Sequence, residues 1–324
     1  MTNVPDWSRL EAMASTDADA ARYEGDLATN PDDAETRVKL IAHYANAPFE
    51  LRPRMTPHIL WMLDHHPLVH LEAYTLFYAA LDPEGFVAIR ARWVRLLDGC
   101  SDPRWFARAA EFLRTDDPEL AHQWIDRAVE LAPDDWRWRA ARASSFERRV
   151  RAHPDAARAA FADRDAALQR VTSVGDRYEC LIEVASAARV LADWERARTA
   201  ATAVLVLASD PAVVGRFQHG IGVHVAHSIL GQVALHANDV ALAVDHLRTS
   251  GAWPKSPPFR PEQALAAALF ERGQLAVVRW YIDACERFVG AAIAEGWRQL
   301  LAAGENPLAI SLSEMQLRLR VAAG

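Results

Sequence analysis

The chain has 324 residues and a mass of 36.0 kDa, 51% hydrophobic and 24% charged, which is enough apolar surface for an ordered core and excludes a disordered chain. Alanine supplies 62 residues while glycine and proline together supply 31, a balance that favours helix and excludes collagen-like or all-β architecture. The 36 basic and 43 acidic residues give a net charge of −7, so no global positive field draws in nucleic acid or an anionic membrane.

Residues 1–16 read as a flexible N-terminus, because Asp6, Arg9 and Glu11 interrupt the apolar run a secretory leader needs. Apolar residues at three- and four-residue steps then predict helices over 17–29, 32–46, 56–64, 68–81, 83–98, 103–114, 118–131 and 134–150. Further helices are predicted over 154–170, 176–192, 194–208, 212–236, 240–249, 261–272 and 274–303, the last with a break near Gly290 or Gly296. A final helix and tail occupy 311–324, the helix over 311–321. No alternating strand pattern interrupts the series, and no run approaches eighteen uninterrupted apolar residues. The expected fold is all-α: an α-solenoid of degenerate helical hairpins, one continuous array over 17–310 with a proline-rich loop at 251–261.

Three windows share one spacing of small residues. Ala109, Ala121 and Ala128 stand at intervals of 12 and 7, with Pro133 closing the window, and the series Ala185, Ala197, Val204 and Gly231, Ala243, Ser250 keep the same intervals. Each interval places a small residue on one helix opposite a small residue on the next, where two backbones must approach. Polar turns separate the paired helices: Thr115-Asp116-Asp117-Pro118, Ala192-Asp193-Trp194 and Ala237-Asn238-Asp239. Asp and Asn suit helix starts because they accept hydrogen bonds from free backbone N–H groups.

Trp105, Ala109, Phe112, Ala121, Ile125, Ala128 and Pro133 resemble the signature of a tetratricopeptide repeat, and Leu230-Gly231 with Ala243 resembles its leucine-glycine pair and later alanine. The helix-turn-helix patterns at 20–47 and 263–288 carry less of the set. The segment from His58 to Pro67, and His224 to Gly231 with Gly251, Pro254, Ser256 and Pro257, resemble a bacterial tetratricopeptide-like family without an assigned activity. The resemblance implies the fold and no reaction.

Histidines are the most suggestive residues for chemistry, since imidazole binds metals and titrates near neutrality. His65, His66 and His70 are clustered, and His219, His224, His227 and His236 share one predicted helix. Neither group has the spacing or the carboxylate of a zinc site, so no metal and no cofactor is expected. Helix packing is the plainer reading of both clusters, with His224, His227 and Trp253 as pocket candidates. The loop from Gly251 to Pro261 is rigid and non-helical, reading as a connection with Trp253 and Phe259 tucked into the core, or as a lid. Trp105, Trp124, Trp136, Trp138, Trp194 and Trp280 read as core aromatics. The arginines between 137 and 151 read as a solvated face, and only Lys39 and Lys255 are lysines, a skew ascribed to coding bias. Cys100, Cys180 and Cys285 are far apart and odd in number, which fits buried thiols in a cytoplasmic protein. No glycine-flanked serine elbow or phosphate-cradling loop is present.

The function expected from this pattern is a cytoplasmic scaffold that binds a protein or peptide on the concave face of the array, without membrane or nucleic acid partners. The candidates for that face are Phe106, Ala110 and Leu113; Ile182, Ser186 and Arg189; and Ser228, Gln232 and His236. These positions lack the dense cationic clamp of a receptor for acidic tails. The alternative is an enzyme or a small-molecule-binding accessory protein with a pocket around His224, His227 and His236.

Overall fold

The computed structural model describes residues 7, 15–69, 71, 74, 77–149, 155–216, 218–252, 261–312, 314–315 and 317–318, the side chains of 147–149 excepted. The protein is all-α, built of stacked helices packed in successive pairs. The chain divides into two compact units, Met1–Ala152 and His153–Gly324, where one continuous array is expected from the sequence; each unit contains its own apolar core.

The first unit contains α1 (Asp17–Thr29), α2 (Ala34–Asn46), a 3₁₀ turn (Phe49–Arg54), α3 (Met55–His65), α4 (Pro83–Leu97), α5 (Pro103–Leu113), α6 (Pro118–Leu131) and α7 (Trp136–Arg149). Aspartates start most of them: Asp33, Asp82, Asp102 and Asp117 each accept a backbone N–H of the first turn, and prolines occupy the opening positions of α4, α5 and α6. Of residues 1–16, only Trp7, Ser15 and Thr16 are described. Thr16 caps α1 in a reciprocal box with Asp19, Ser15 lies 3.1 Å from His43 Nδ1, and the Trp7 ring packs beside His66.

The helix expected over 68–81 is not an α-helix at its described residues. The amides of Tyr74, Phe77 and Leu81 donate to carbonyls three residues back, so the chain advances by tight turns. A three-residue period puts Leu71, Tyr74 and Phe77 on one side, where Leu71 and Phe77 are buried in the core and Tyr74 packs against it.

The second unit contains α8 (Asp155–Leu168), α9 (Val174–Val190), α10 (Trp194–Leu207), α11 (Gln218–His236), α12 (Val240–Gly251), α13 (Ala264–Glu271), α14 (Leu275–Val289), α15 (Ala291–Ala302) and a 3₁₀ turn (Pro307–Ala309). The long helix expected over 274–303 breaks at Gly290, whose φ of 88° is open to glycine and strained for other residues. The stretch expected to begin α11 at 212 is turn, and the helix starts at Gln218. The proline-rich loop lies outside the described residues from 253 to 260. Of the C-terminal segment, Ser311, Leu312, Glu314, Met315, Leu317 and Arg318 are described, and Met315 is buried in the core.

The small residues at intervals of 12 and 7 are buried at the seams of three hairpins. Ala109 on α5 and Ala121 and Ala128 on α6 are buried; so are Ala185 on α9 with Ala197 and Val204 on α10, and Gly231 on α11 with Ala243 and Ser250 on α12. A Cβ at Gly231 would collide with the Leu265 side chain of α13. In the second and third of these hairpins the turns repeat one pattern. The amide of Asp193 donates to the Ala188 carbonyl and that of Ala192 to Arg189; Asp239 and Asn238 do the same to Ala234 and Leu235. This is a six-to-one helix stop whose pivotal residue has positive φ, 56° at Ala192 and 62° at Asn238. Asparagine tolerates that conformation, whereas alanine is strained in it. Ala192→Gly is therefore expected to raise the unfolding free energy by about 0.5–1 kcal/mol, read from urea denaturation midpoints at unchanged slope.

Candidate functional site

A cavity of about 580 Å³ opens in the first unit, walled by α5 and α7 with α6 between them. It exists because α5 and α7 make little direct contact, while the corresponding pairs of the second unit, α9 with α11 and α11 with α13, pack against one another. The two walls are equivalent stretches of sequence. Ala109 and Ala143, both fully buried, stand 34 residues apart, and the same offset maps Arg104, Ala107, Ala110 and Glu111 of one wall onto Trp138, Ala141, Ser144 and Ser145 of the other. Small side chains thus face the cavity from both helices, with Ala121 and Ile125 of α6 beneath them.

Charge concentrates around this opening. Arg104 and Arg137 sit at the first turns of α5 and α7, and each forks onto the aspartate two residues earlier, Asp102 and Asp135. The guanidinium hydrogen bonds hold both carboxyls below the usual carboxylate range. Arg108 pairs with Glu111 at 2.9 Å. Arg114 also lines the cavity and has no ion-pair or side-chain hydrogen-bond partner among the described residues. The Trp138 Nε1–H is shielded from water and has no hydrogen-bond acceptor among them.

Ser145, at the edge of the cavity, lies 2.7 Å from His122 Nδ1, and His122 Nε2 lies 3.5 Å from Asp126. The order of groups matches a nucleophile, base and carboxylate, but Ser145 sits inside α7, where backbone amides are committed to the helix ladder and leave no donor pair for an oxyanion. The Ser145 hydroxyl also donates to the Arg142 carbonyl, and Arg142 pairs with Asp126. The group ties α6 to α7 and so fixes one wall of the cavity.

The residues expected on a binding face divide differently. Phe106, Ala110 and Leu113 are buried, because with Ala109 they form the i, i+3, i+4, i+7 set that faces the core; of the three only Ala110 also lines the cavity. The open face of α5 is the adjacent one, bearing Arg104, Ala107, Arg108 and Glu111. In the second unit Ile182 is buried, the half-buried Ser186 donates to the Ile182 carbonyl, and Arg189 is half-buried. Ser228 is fully buried with no partner for its hydroxyl among the described residues, and Gln232 donates to its carbonyl. Spacing along a helix marks which residues share a face; the direction of that face is set by the neighbouring helices. The 34-residue step from Ala109 to Ala143 is the one signal in the sequence that reaches the cavity.

Nor do the histidines of α11 converge. His224 is buried and used on both nitrogens: the Glu262 amide donates to Nε2 at 2.9 Å, which places the ring proton on Nδ1, facing the Ser250 carbonyl and hydroxyl. The Glu262 carbonyl accepts from the Tyr281 hydroxyl at 2.8 Å, so two buried side chains hold the chain where it enters α13. His227 pairs with His246 through their Nδ1 atoms at 3.0 Å, and the exposed His236 stacks on Trp194. Trp253 lies outside the described residues. In the other cluster, His65 stacks on Trp61 and bonds its carbonyl, His66 packs between Trp7 and Trp61, and His70 is not described. Among the described residues no three His, Cys, Asp or Glu side chains are grouped to hold a metal ion, and no helix is long and apolar enough to cross a membrane.

Most of the tryptophans expected in the core are at its margin. Trp105, Trp124 and Trp138 are half-buried against it and Trp280 is exposed, while among the described residues the fully packed indoles are Trp93 and Trp297. The fold and cavity define an all-helical, repeat-like protein. No protein-family model and no curated protein matches the sequence. Among solved structures, the chain is similar to one in the crystal structure of the APC/C hetero-tetramer Cut9-Hcn1, with 13% identity and a TM-score of 0.42, over 96% of this chain and 61% of that one.

His224→Ala is expected to lower stability by about 2–4 kcal/mol, since it empties a packed site and orphans the Glu262 amide; thermal unfolding followed by circular dichroism checks this. Burial, with the neighbouring His246 and His224, pushes His227 down to about 4 from its usual 6.5. Between those values the unfolded chain takes up a proton that the folded one refuses. Stability therefore falls as pH drops from 7 to 4, by about 1–2 kcal/mol after allowance for solvent at a half-buried ring, and His227→Gln is expected to flatten that part of the profile.

Proposed function

We propose that this chain is a tetratricopeptide-type scaffold that binds a protein or peptide in the cavity between α5 and α7. The observation that carries the reading is the correspondence of the two walls at a 34-residue step, with small side chains turned into the opening from both. Stacked hairpins create such grooves by geometry, and a floor of alanine and isoleucine lets another chain approach closely. A cavity of about 580 Å³ has room for a few side chains of a peptide rather than a whole domain. We place the protein in the cytoplasm, consistent with three free cysteines, two of them buried thiols raised to about 11 (Cys180) and about 12 (Cys285).

Ser144 is exposed and lines the cavity; Thr202 on α10 is exposed elsewhere. A photo-crosslinking residue at Ser144, introduced in the native cell, is expected to capture one defined protein, and the same group at Thr202 to capture none. Ala141→Trp, which fills the groove from a half-buried position, is expected to remove the cross-link while leaving the melting temperature within a few degrees of the parent. Cross-linking that survives Ala141→Trp places the partner elsewhere and defeats the reading.

A further inference from the structure

Across the seam between α11 and α12 two imidazoles meet at the same atom. His227 of α11 and His246 of α12 face each other through Nδ1 at 3.0 Å, with ring centroids 5.3 Å apart and planes inclined by 41°. A glycine sets this approach: a Cβ at Gly231, one turn along α11 from His227, would stand 3.2 Å from the His246 Cβ. Without that Cβ, α12 lies close enough for the rings to touch. Both side chains are half-buried, and neither Nε2 has a hydrogen-bond partner among the described residues. Burial lowers both rings from the usual histidine range, His227 to about 4, so the pair is uncharged at neutral pH. One Nδ1 then carries a proton and the other offers its lone pair. The Asp245 carboxylate acts on His246 from the same helix, with Arg248 at 3.9 Å from it.

We infer that His227 and His246 form a chelate for a divalent transition-metal ion, which their two Nδ1 atoms hold between α11 and α12 while water completes its shell. With metal–nitrogen bonds of about 2.0–2.1 Å, donors 3.0 Å apart subtend about 95° at the ion. That is the angle between neighbouring positions of a tetragonal or octahedral shell, whereas a tetrahedral ion asks for donors about 3.3 Å apart. The ion replaces the hydrogen bond at no net cost in protons: the ring that now donates through Nδ1 carries its proton on Nε2 instead, and both Nδ1 lone pairs turn to the metal. Imidazole nitrogen selects such ions over Mg²⁺ and Ca²⁺, which take oxygen ligands. His224 adds no third ligand, because Ser250 and the Glu262 amide occupy its nitrogens, and among the described residues no other His, Cys, Asp or Glu completes a group of three. Two protein ligands are fewer than a closed structural site uses, so the ion exchanges with solution. The inference is independent of the groove in the first unit.

Calorimetric titration of the untagged full-length protein with Ni²⁺ at about pH 7.5 tests this, with Mg²⁺ as the control ion. Ni²⁺ is expected to bind and Mg²⁺ not to, and His227→Gln and His246→Gln are each expected to weaken Ni²⁺ binding at least about 10-fold. An ion that binds the folded chain alone stabilises it, so saturating Ni²⁺ is expected to raise the melting temperature of the parent and to leave that of either variant unchanged. Circular dichroism of each variant confirms that it is folded, and if one variant fails to fold the other decides. No binding by the parent at millimolar Ni²⁺, or equal affinity in the parent and the folded variants, overturns the inference and leaves the pair a hydrogen bond within the seam. Binding that survives both changes and is lost in His65→Gln/His66→Gln assigns the ion to the other histidine cluster and overturns it as well. Mg²⁺ binding as tight as Ni²⁺ binding overturns imidazole ligation in favour of carboxylates.

Discussion

Close approach of paired helices governs everything else in this molecule. Two helices come together only where neither presents a large side chain, and here the condition is met by alanine, glycine, serine or valine at matched positions along each hairpin. The paired helices then bury their flanking leucines, isoleucines and tyrosines against the next pair. Aspartate caps and six-to-one stops serve the same end, since they turn the chain within a few residues and leave the second helix lying against the first.

The same constraint decides where the protein is closed and where it is open. On α11, a Cβ at Gly222 would collide with the Tyr178 hydroxyl and Ile182 of α9, and one at Gly231 with Leu265 of α13, so glycine lets both neighbours sit directly on α11. Tyr178 reinforces the seam by donating to the His219 carbonyl at 2.7 Å. Between α5 and α7 neither wall carries a glycine. Alanines face a gap with arginines around it, and the tie from His122 to Ser145 holds α7 to α6 instead of to α5. One hairpin design thus yields a packed seam in one unit and a lined groove in the other.

The rule that a buried donor or acceptor must find a partner is met at His224 and missed at Ser228 and Trp138. His224 satisfies an amide, a carbonyl and a hydroxyl at the point where the chain re-enters helix after the proline-rich stretch, so its chemistry is spent on the fold. Trp138, by contrast, lines the cavity with part of its ring and leaves its donor unsatisfied. Its indole packs against the core with the N–H shielded from water and no acceptor for it among the described residues. Residue type alone does not separate these two outcomes, because both depend on which groups the neighbouring helices supply.

The amino-acid sequence by itself determined the helices and their pairing. Apolar periodicity placed nearly every helix within a few residues, and the small residues spaced by 12 and 7 marked the seams, since both signals are local or span a single turn. It did not decide the tight turns around Leu71 and Phe77, the division into two units, or which face of α5 stays open. Phe106 and Leu113 share a helix with Arg104 and Arg108, and only the positions of α6 and α7 turn the first pair inward and leave the second beside a cavity. Periodicity fixes faces relative to one another; the packing of distant segments fixes what each face meets.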